Sequence, residues 1–154
     1  EKDSVTIFEA AIAHLNCYSL VDVLIKEGNV IKLIEVKSKS WDQNKEFLTA
    51  RGKSIRSDWQ KYLYDIAFQT WIAKKVFPNH VIEPYLMLID KHKATTVEGL
   101  HPYFEIYHDE NGRSQLSLTV PPEQLNLGEP ILKQIDVSEE VELIFEGCPR
   151  VTSL

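Results

Sequence analysis

The sequence predicts an α/β domain of the α+β kind, a mixed central sheet with flanking helices. Three observations predict it. The apolar pattern runs strand-strand-strand-helix-strand, the first reversal carries a tight-turn signature, and the one long helical pattern sits between two strands. At 154 residues the chain is long enough for a single compact domain with its own core. A composition of 44% hydrophobic and 26% charged residues is ordinary for a globular protein.

The elements follow in order. Val5–Leu15 is rich in β-branched and small apolar residues and reads as a first strand. Ser19–Glu27 and Val30–Ser38 read as two more, joined at Gly28-Asn29. A glycine at the first central position of a two-residue loop suits a type II′ turn. Residues 39–54 carry Ser, Asp, Asn, Lys and Gly and read as a loop. Ser57 is expected to cap a helix, with Asp58 in its first turn and apolar residues at Trp59, Tyr62, Leu63, Ile66, Ala67, Ile72, Ala73 and Val76. Pro78 ends it, and Pro84 opens a strand over Tyr85–Ile89. Tyr103–Val120 reads as a second hairpin around Asn111-Gly112. Two short helices, Pro122–Ile135 and Ser138–Phe145, are expected to close the chain, with Gly147 as the stop. The core is expected over residues 5–90, with 91–154 peripheral.

No run approaches eighteen apolar residues and no signal peptide is visible, so neither a membrane nor export is indicated, and a cytoplasmic location is expected. The chain begins Glu-Lys-Asp without methionine and is expected to be a piece of a longer protein, with flanking domains as partners. Cys17 and Cys148 are far apart, make no CxxC pair and are read as free thiols. The five histidines lack the tight spacing of a zinc site. Trp41, Trp59 and Trp71 are expected to pack in or near the core rather than stack on bases.

Net charge is −6, which does not favour a surface that coats nucleic acid. The distribution is uneven, however. Residues 36–61 hold seven Lys/Arg against three Asp/Glu, a net of +4, which leaves −10 for the remainder. A basic segment on an acidic body suits a local phosphate contact, and it suits a solvated loop equally well.

The reversal at Gly28-Asn29 carries the chemistry. With a two-residue loop Glu27 faces Val30, and Asp22 then faces Glu35. Directly opposed side chains place their Cβ atoms about 4.5–5.5 Å apart, and Lys37 points to the same face as Glu35. A three-residue loop would instead set Asp22 against Ile34 and turn Glu35 away. Opposed carboxylates repel unless a cation sits between them, and carboxylate oxygens are what Mg²⁺ and Mn²⁺ prefer. The rest of that face holds Leu24, Ile31, Leu33 and Lys26. A solvated pair of surface carboxylates is the plainer alternative.

The string VDVLIKEGNVIKLIEVK, Val21–Lys37, resembles the core motif of the PD-(D/E)XK nuclease superfamily. There an acidic residue on one strand, here Asp22, precedes (D/E)-x-K on the next, here Glu35-Val36-Lys37. It is closest in pattern to the RecB-like branch, which includes the CRISPR-associated exonucleases and in which the following helix carries a glutamine. Gln69 is similar in position. The pattern is also similar to an uncharacterised bacterial domain family with such a core. The resemblance covers residues 5–90. It implies a restriction-endonuclease-like fold over a single domain, 1–154, and Mg²⁺- or Mn²⁺-dependent hydrolysis of DNA. It implies Asp22, Glu35, Lys37 and Gln69 as catalytic residues, and Asp22, Glu35 and the Val36 carbonyl as metal ligands. Glu9 is either an additional ligand or a strand-surface carboxylate, and Gln69 has an ordinary helix-surface amide as its alternative. Lys39, Lys45, Arg51, Lys53 and Arg56 would contact the nucleic-acid backbone. Ala73 stands where the branch often has an aromatic, and the branch's usual first helix does not precede the first strand. An iron–sulfur cluster needs four cysteines, and two are present, so none is expected here. A catalytically inactive module of the same fold, serving nucleic-acid or protein binding, is the competing expectation.

Overall fold

The computed structural model describes residues 3–43, 47–49 and 54–147. It is an α+β structure built from a mixed five-stranded sheet, a separate two-stranded sheet and two α-helices. Three long strands form an antiparallel meander: β1 (Ser4–His14), β2 (Cys17–Glu27) and β3 (Val30–Trp41). Helix α1 (Ser57–Val76) carries the chain across to β4 (Val81–Asp90), which pairs parallel to β3. That pairing makes the sheet mixed, since a parallel neighbour requires a crossover segment.

The turn at Gly28-Asn29 forms as the sequence predicts. Glu27 pairs with Val30, and the ladder runs in that register to Val23–Ile34. Gly28 has φ 56° while Asn29 stays at negative φ, as a type II′ turn requires. Helix α1 begins one residue earlier than expected: Arg56 is its N-cap, without a side-chain cap, and Ser57 is already helical. It ends at Val76, just before Pro78, which cannot continue a helix.

Two expectations are corrected. Residues 122–135 hold no α-helix, because Gly128 and Pro130 interrupt the segment. They contain a 3₁₀ turn at Pro122–Gln124 and the start of strand β7 (Leu132–Asp136), which pairs antiparallel to β4 and forms the sheet's far edge. Pro84 sits inside β4 rather than ahead of it, in a buried position paired with Leu33. The Pro84 carbonyl accepts the Val137 amide at 3.1 Å, one residue past the end of β7. The N–H that proline lacks would point to that same side, where the ladder has already ended, so little is lost.

The sheet order is β1-β2-β3-β4-β7. Helix α2 (Ser138–Phe145) packs against α1 and β4 and ends at Gly147, φ 80°, as expected. The core lies between α1 and one sheet face, with Ile31, Leu33, Leu63, Ile66, Ile72, Leu86 and Leu88 fully buried. Trp59 is buried in it, and Trp41 and Trp71 pack against it.

The chain divides into two compact units, residues 1–90 with 132–154 and residues 91–131. The second contains the expected hairpin, β5 (Phe104–His108) and β6 (Ser114–Leu118). Its loop spans five residues and is held by Asp109 Oδ1, which accepts the Asn111 and Arg113 amides at 2.9 Å each. No helix among the described residues is long and apolar enough to cross a membrane.

Candidate functional site

Strict alternation fails in one region of the meander, and the sequence-predicted residues collect there. On β2, Val21 and Leu24 are both buried in the one core. Residues three apart on a regular strand face opposite sides, so β2 changes face at Asp22-Val23. Across from that point on β1, the pairs Phe8–Val23 and Ala10–Val21 put Glu9 opposite Asp22, and Glu9 has φ 51°. A non-glycine residue in the left-handed region marks local backbone strain.

Strand β3 leaves its neighbours at the same level. The β2–β3 ladder stops at Val23–Ile34, one pair short of Asp22 and Glu35. The β3–β4 ladder becomes irregular between Val36 and Ser40, where β3 spends four residues against two on β4. Continued register would bring the Val36 amide to the backbone of Val21. It donates instead to Asp22 Oδ2 at 2.7 Å. A carboxylate thus replaces a backbone acceptor where the strands part.

Glu35 is buried, at 5% exposure. Its Oε1 accepts from the Lys37 ammonium and its Oε2 from Gln69 Nε2 at 2.7 Å. Gln69, 2% exposed, lies on the face of α1 turned to the sheet and also reaches the Leu20 carbonyl at 3.5 Å. Its own amide oxygen is buried with no hydrogen-bond partner. Buried amide oxygens nearly always have a donor, so this one marks a place where a polar group can be received. Lys37 Nζ is also 3.2 Å from Asp65 Oδ2, one turn before Gln69 on the same helix.

Burial pushes the Glu35 carboxyl above the ordinary glutamate range, and the charge of Asp22 pushes it the same way. The bonds from Lys37 and Gln69 act against this without cancelling it. Burial lowers the Lys37 ammonium, but the ion pairs with Glu35 and Asp65 outweigh it and the net shift is upward. At neutral pH the proton therefore stays on Lys37.

Lys39 follows on the same face but is engaged elsewhere. Its ammonium binds the Asp58 backbone carbonyl, lies 3.6 Å from the Asp58 carboxylate and sits 3.9 Å over the Trp59 ring. Arg56 Nε is 3.3 Å from Asp58 Oδ1. Both residues expected to contact a nucleic-acid backbone thus pair with one half-exposed aspartate. Lys45, Arg51 and Lys53 lie outside the described residues, as does Cys148. Glu9 is exposed, and no described contact draws its carboxylate to the group.

The structure therefore brings together Asp22, Glu35, Lys37 and Gln69 from β2, β3 and α1. It adds Asp65, which the sequence reading passed over because only the placement of α1 along β3 aligns it with Lys37. Among the described residues, no group of three or more His, Cys, Asp or Glu side chains is placed to hold a metal ion. No protein-family model matches this sequence, and no curated protein or solved structure matches it.

Proposed function

We propose that this chain is the core of a divalent-metal-dependent nuclease of the PD-(D/E)XK type, RecB-like branch, which hydrolyses phosphodiester bonds of DNA in the cytoplasm. The observation that carries the reading is the convergence of Asp22, Glu35, Lys37 and Gln69 at the point where β2 and β3 separate. The burial of Glu35 and Gln69 sets this group apart from a solvated pair of surface carboxylates. The meander, helical crossover and parallel fourth strand support a restriction-endonuclease-like fold as part of the same proposal.

The residues present fit Mg²⁺ or Mn²⁺. Such ions take hard oxygen donors and commonly use one or two protein carboxylates, leaving the other positions to water and phosphate. Asp22, Glu35 and the Val36 carbonyl would hold the ion. The burial of Glu35 near the charge of Asp22 is the electrostatic cost that a cation would offset. When bound, the ion supplies Lewis-acid polarisation of the phosphate and a lowered pKa for water. The chain's own residues do the rest. Lys37 donates to the negative charge that develops on phosphate, a task suited to a compact ammonium. Gln69 fixes the Glu35 carboxylate through Nε2 and presents its unpaired oxygen to a donor in the site. Asp22 anchors the parted strands through the Val36 amide.

Cleavage of linear and supercoiled DNA with Mn²⁺ tests this. Asp22→Asn and Lys37→Gln should each abolish cleavage while the fold persists, and unchanged activity in both removes the mechanism. One observation favours a second reading, an inactive module of the same fold: both oxygens of Glu35 already have partners, and Lys37 is held in an ion pair. Titrating Mn²⁺ into wild type and Asp22→Ala by calorimetry separates the two. The inactive module predicts no heat of binding in either.

A further inference from the structure

A divalent cation drawn to the Glu35 carboxylate competes with the Lys37 ammonium on Oε1, because two positive charges on one carboxylate repel each other. Gln69 is fixed in the core, and its amide also reaches Leu20. Lys37 is the mobile partner, with its side chain 24% exposed. A released ammonium needs another counter-charge, since a partly buried cation without one is costly. Asp65 is positioned for this. Its Oδ2 is already 3.2 Å from Lys37 Nζ, and its side chain is 44% exposed, so it can follow the ammonium. The Tyr62 ring, 5.9 Å from the same nitrogen, flanks the group.

We infer that Asp65 is a positioning residue, the alternative acceptor that holds Lys37 when Glu35 turns an oxygen to a divalent cation. The inference rests on the metal-site reading above and adds to it a residue outside the resembled motif. Asp65 contacts neither metal nor phosphate in this role. Its carboxylate makes the exchange possible and keeps the ammonium within reach of the site. Two functions are thereby separated on one helix: Gln69 grips Glu35, and Asp65 receives what Glu35 lets go.

The test is calorimetric titration of MnCl₂ into the metal-free full chain. The variants are wild type, Asp65→Asn, Asp65→Glu, Lys37→Gln and Lys37→Gln with Asp65→Asn. Without Asp65 the ammonium has Glu35 alone, so Asp65→Asn should weaken the Kd for Mn²⁺ about tenfold, within the range of coupling energies for residues in contact. Asp65→Glu should restore it to within about threefold of wild type. In the Lys37→Gln background, which keeps a neutral donor for Glu35, the same Asp65→Asn change should move Kd by less than about threefold. Equal weakening in both backgrounds means that Asp65 acts only through its charge at a distance, which overturns the inference. So does an unchanged Kd for Asp65→Asn alone. Wild-type chain that binds no Mn²⁺ removes the metal site itself and this role with it. Wild-type binding with either of the first two results removes only the role of Asp65. Metal-free urea unfolding of Asp65→Asn, expected within about 1 kcal/mol of wild type for a half-exposed pair, excludes a general folding defect.

Discussion

Replacing Lys37 with alanine isolates the electrostatics of the site from any question of catalysis. Glu35 is 5% exposed, and its Oε1 relies on the Lys37 ammonium. Removing one partner of a buried pair typically costs about 3–5 kcal/mol. Here the Lys37 side chain is a quarter exposed and Gln69 continues to hold Oε2, so the low end applies, about 3 kcal/mol at pH 7.5. With a urea slope of about 2 kcal/mol/M, the midpoint should fall by about 1.5 M. All three tryptophans lie in the unit that carries the site, so their fluorescence reports that unit selectively. The pH dependence gives a second readout. Burial and Asp22 already hold the Glu35 carboxyl above its ordinary value, and loss of Lys37 raises it further. A carboxyl whose folded pKa exceeds its unfolded one favours the fold below the unfolded value, and that contribution is lost as pH rises through the folded value. The penalty of Lys37→Ala relative to wild type should therefore shrink on going from pH 7.5 to 4.5. Adding Glu35→Gln, which removes the charge but keeps the shape, should recover most of the loss. A penalty below about 1 kcal/mol at pH 7.5, or one that neither pH nor Glu35→Gln changes, would refute the account of a buried carboxylate that depends on Lys37.

Two further outcomes are expected. The Tyr85 hydroxyl donates to Glu83 at 2.9 Å, and burial first, then Glu83, push the phenol up to about 12. This group favours the fold below pH 10, and the contribution is lost as pH rises from 10 to 12. The loss is about 1 kcal/mol because the ring is only partly buried. Tyr85→Phe should flatten alkaline urea midpoints over that interval, and an unchanged alkaline loss would exclude the assignment. Leu15 holds φ 52° in the β1–β2 turn and is 86% exposed. Leu15→Gly should raise thermal stability by about 0.5–1 kcal/mol, the relieved left-handed strain less the added freedom of the unfolded glycine. A lowered melting temperature would show that the turn does not store that strain.

The legible parts of the fold were those fixed by short-range chemistry. Gly28-Asn29 dictates its own turn, and the turn sets the register that brings Asp22 level with Glu35. The spacing of Trp59, Leu63, Ile66 and Ile72 gave α1, while the inward position of Gln69, left open between a site residue and a surface amide, came from the packing of that helix on the sheet. What escaped depends on contacts distant in sequence. Leu132–Asp136 is a strand only because β4 offers it an edge. Pro84 looked like a boundary because nothing local shows that β7 ends beside it. The change of face at Asp22 and Glu9 leaves no periodic trace, since it shifts two strands together. Lys39 and Arg56 read as free cations until Asp58 is seen between them.

The excursion between β4 and β7 has a consequence for how this chain can vary. Ile89 pairs with Leu132, so the two ends of residues 91–131 emerge side by side, as the ends of a hairpin loop do. Closing a longer loop at such a point adds only about 0.6 kcal/mol per doubling of its length. As far as chain closure is concerned, a change in the length of this segment therefore costs the sheet little. A graft point of this kind lets a lineage acquire new surface chemistry while the parted strands at Asp22 and Glu35 stay under unaltered constraint.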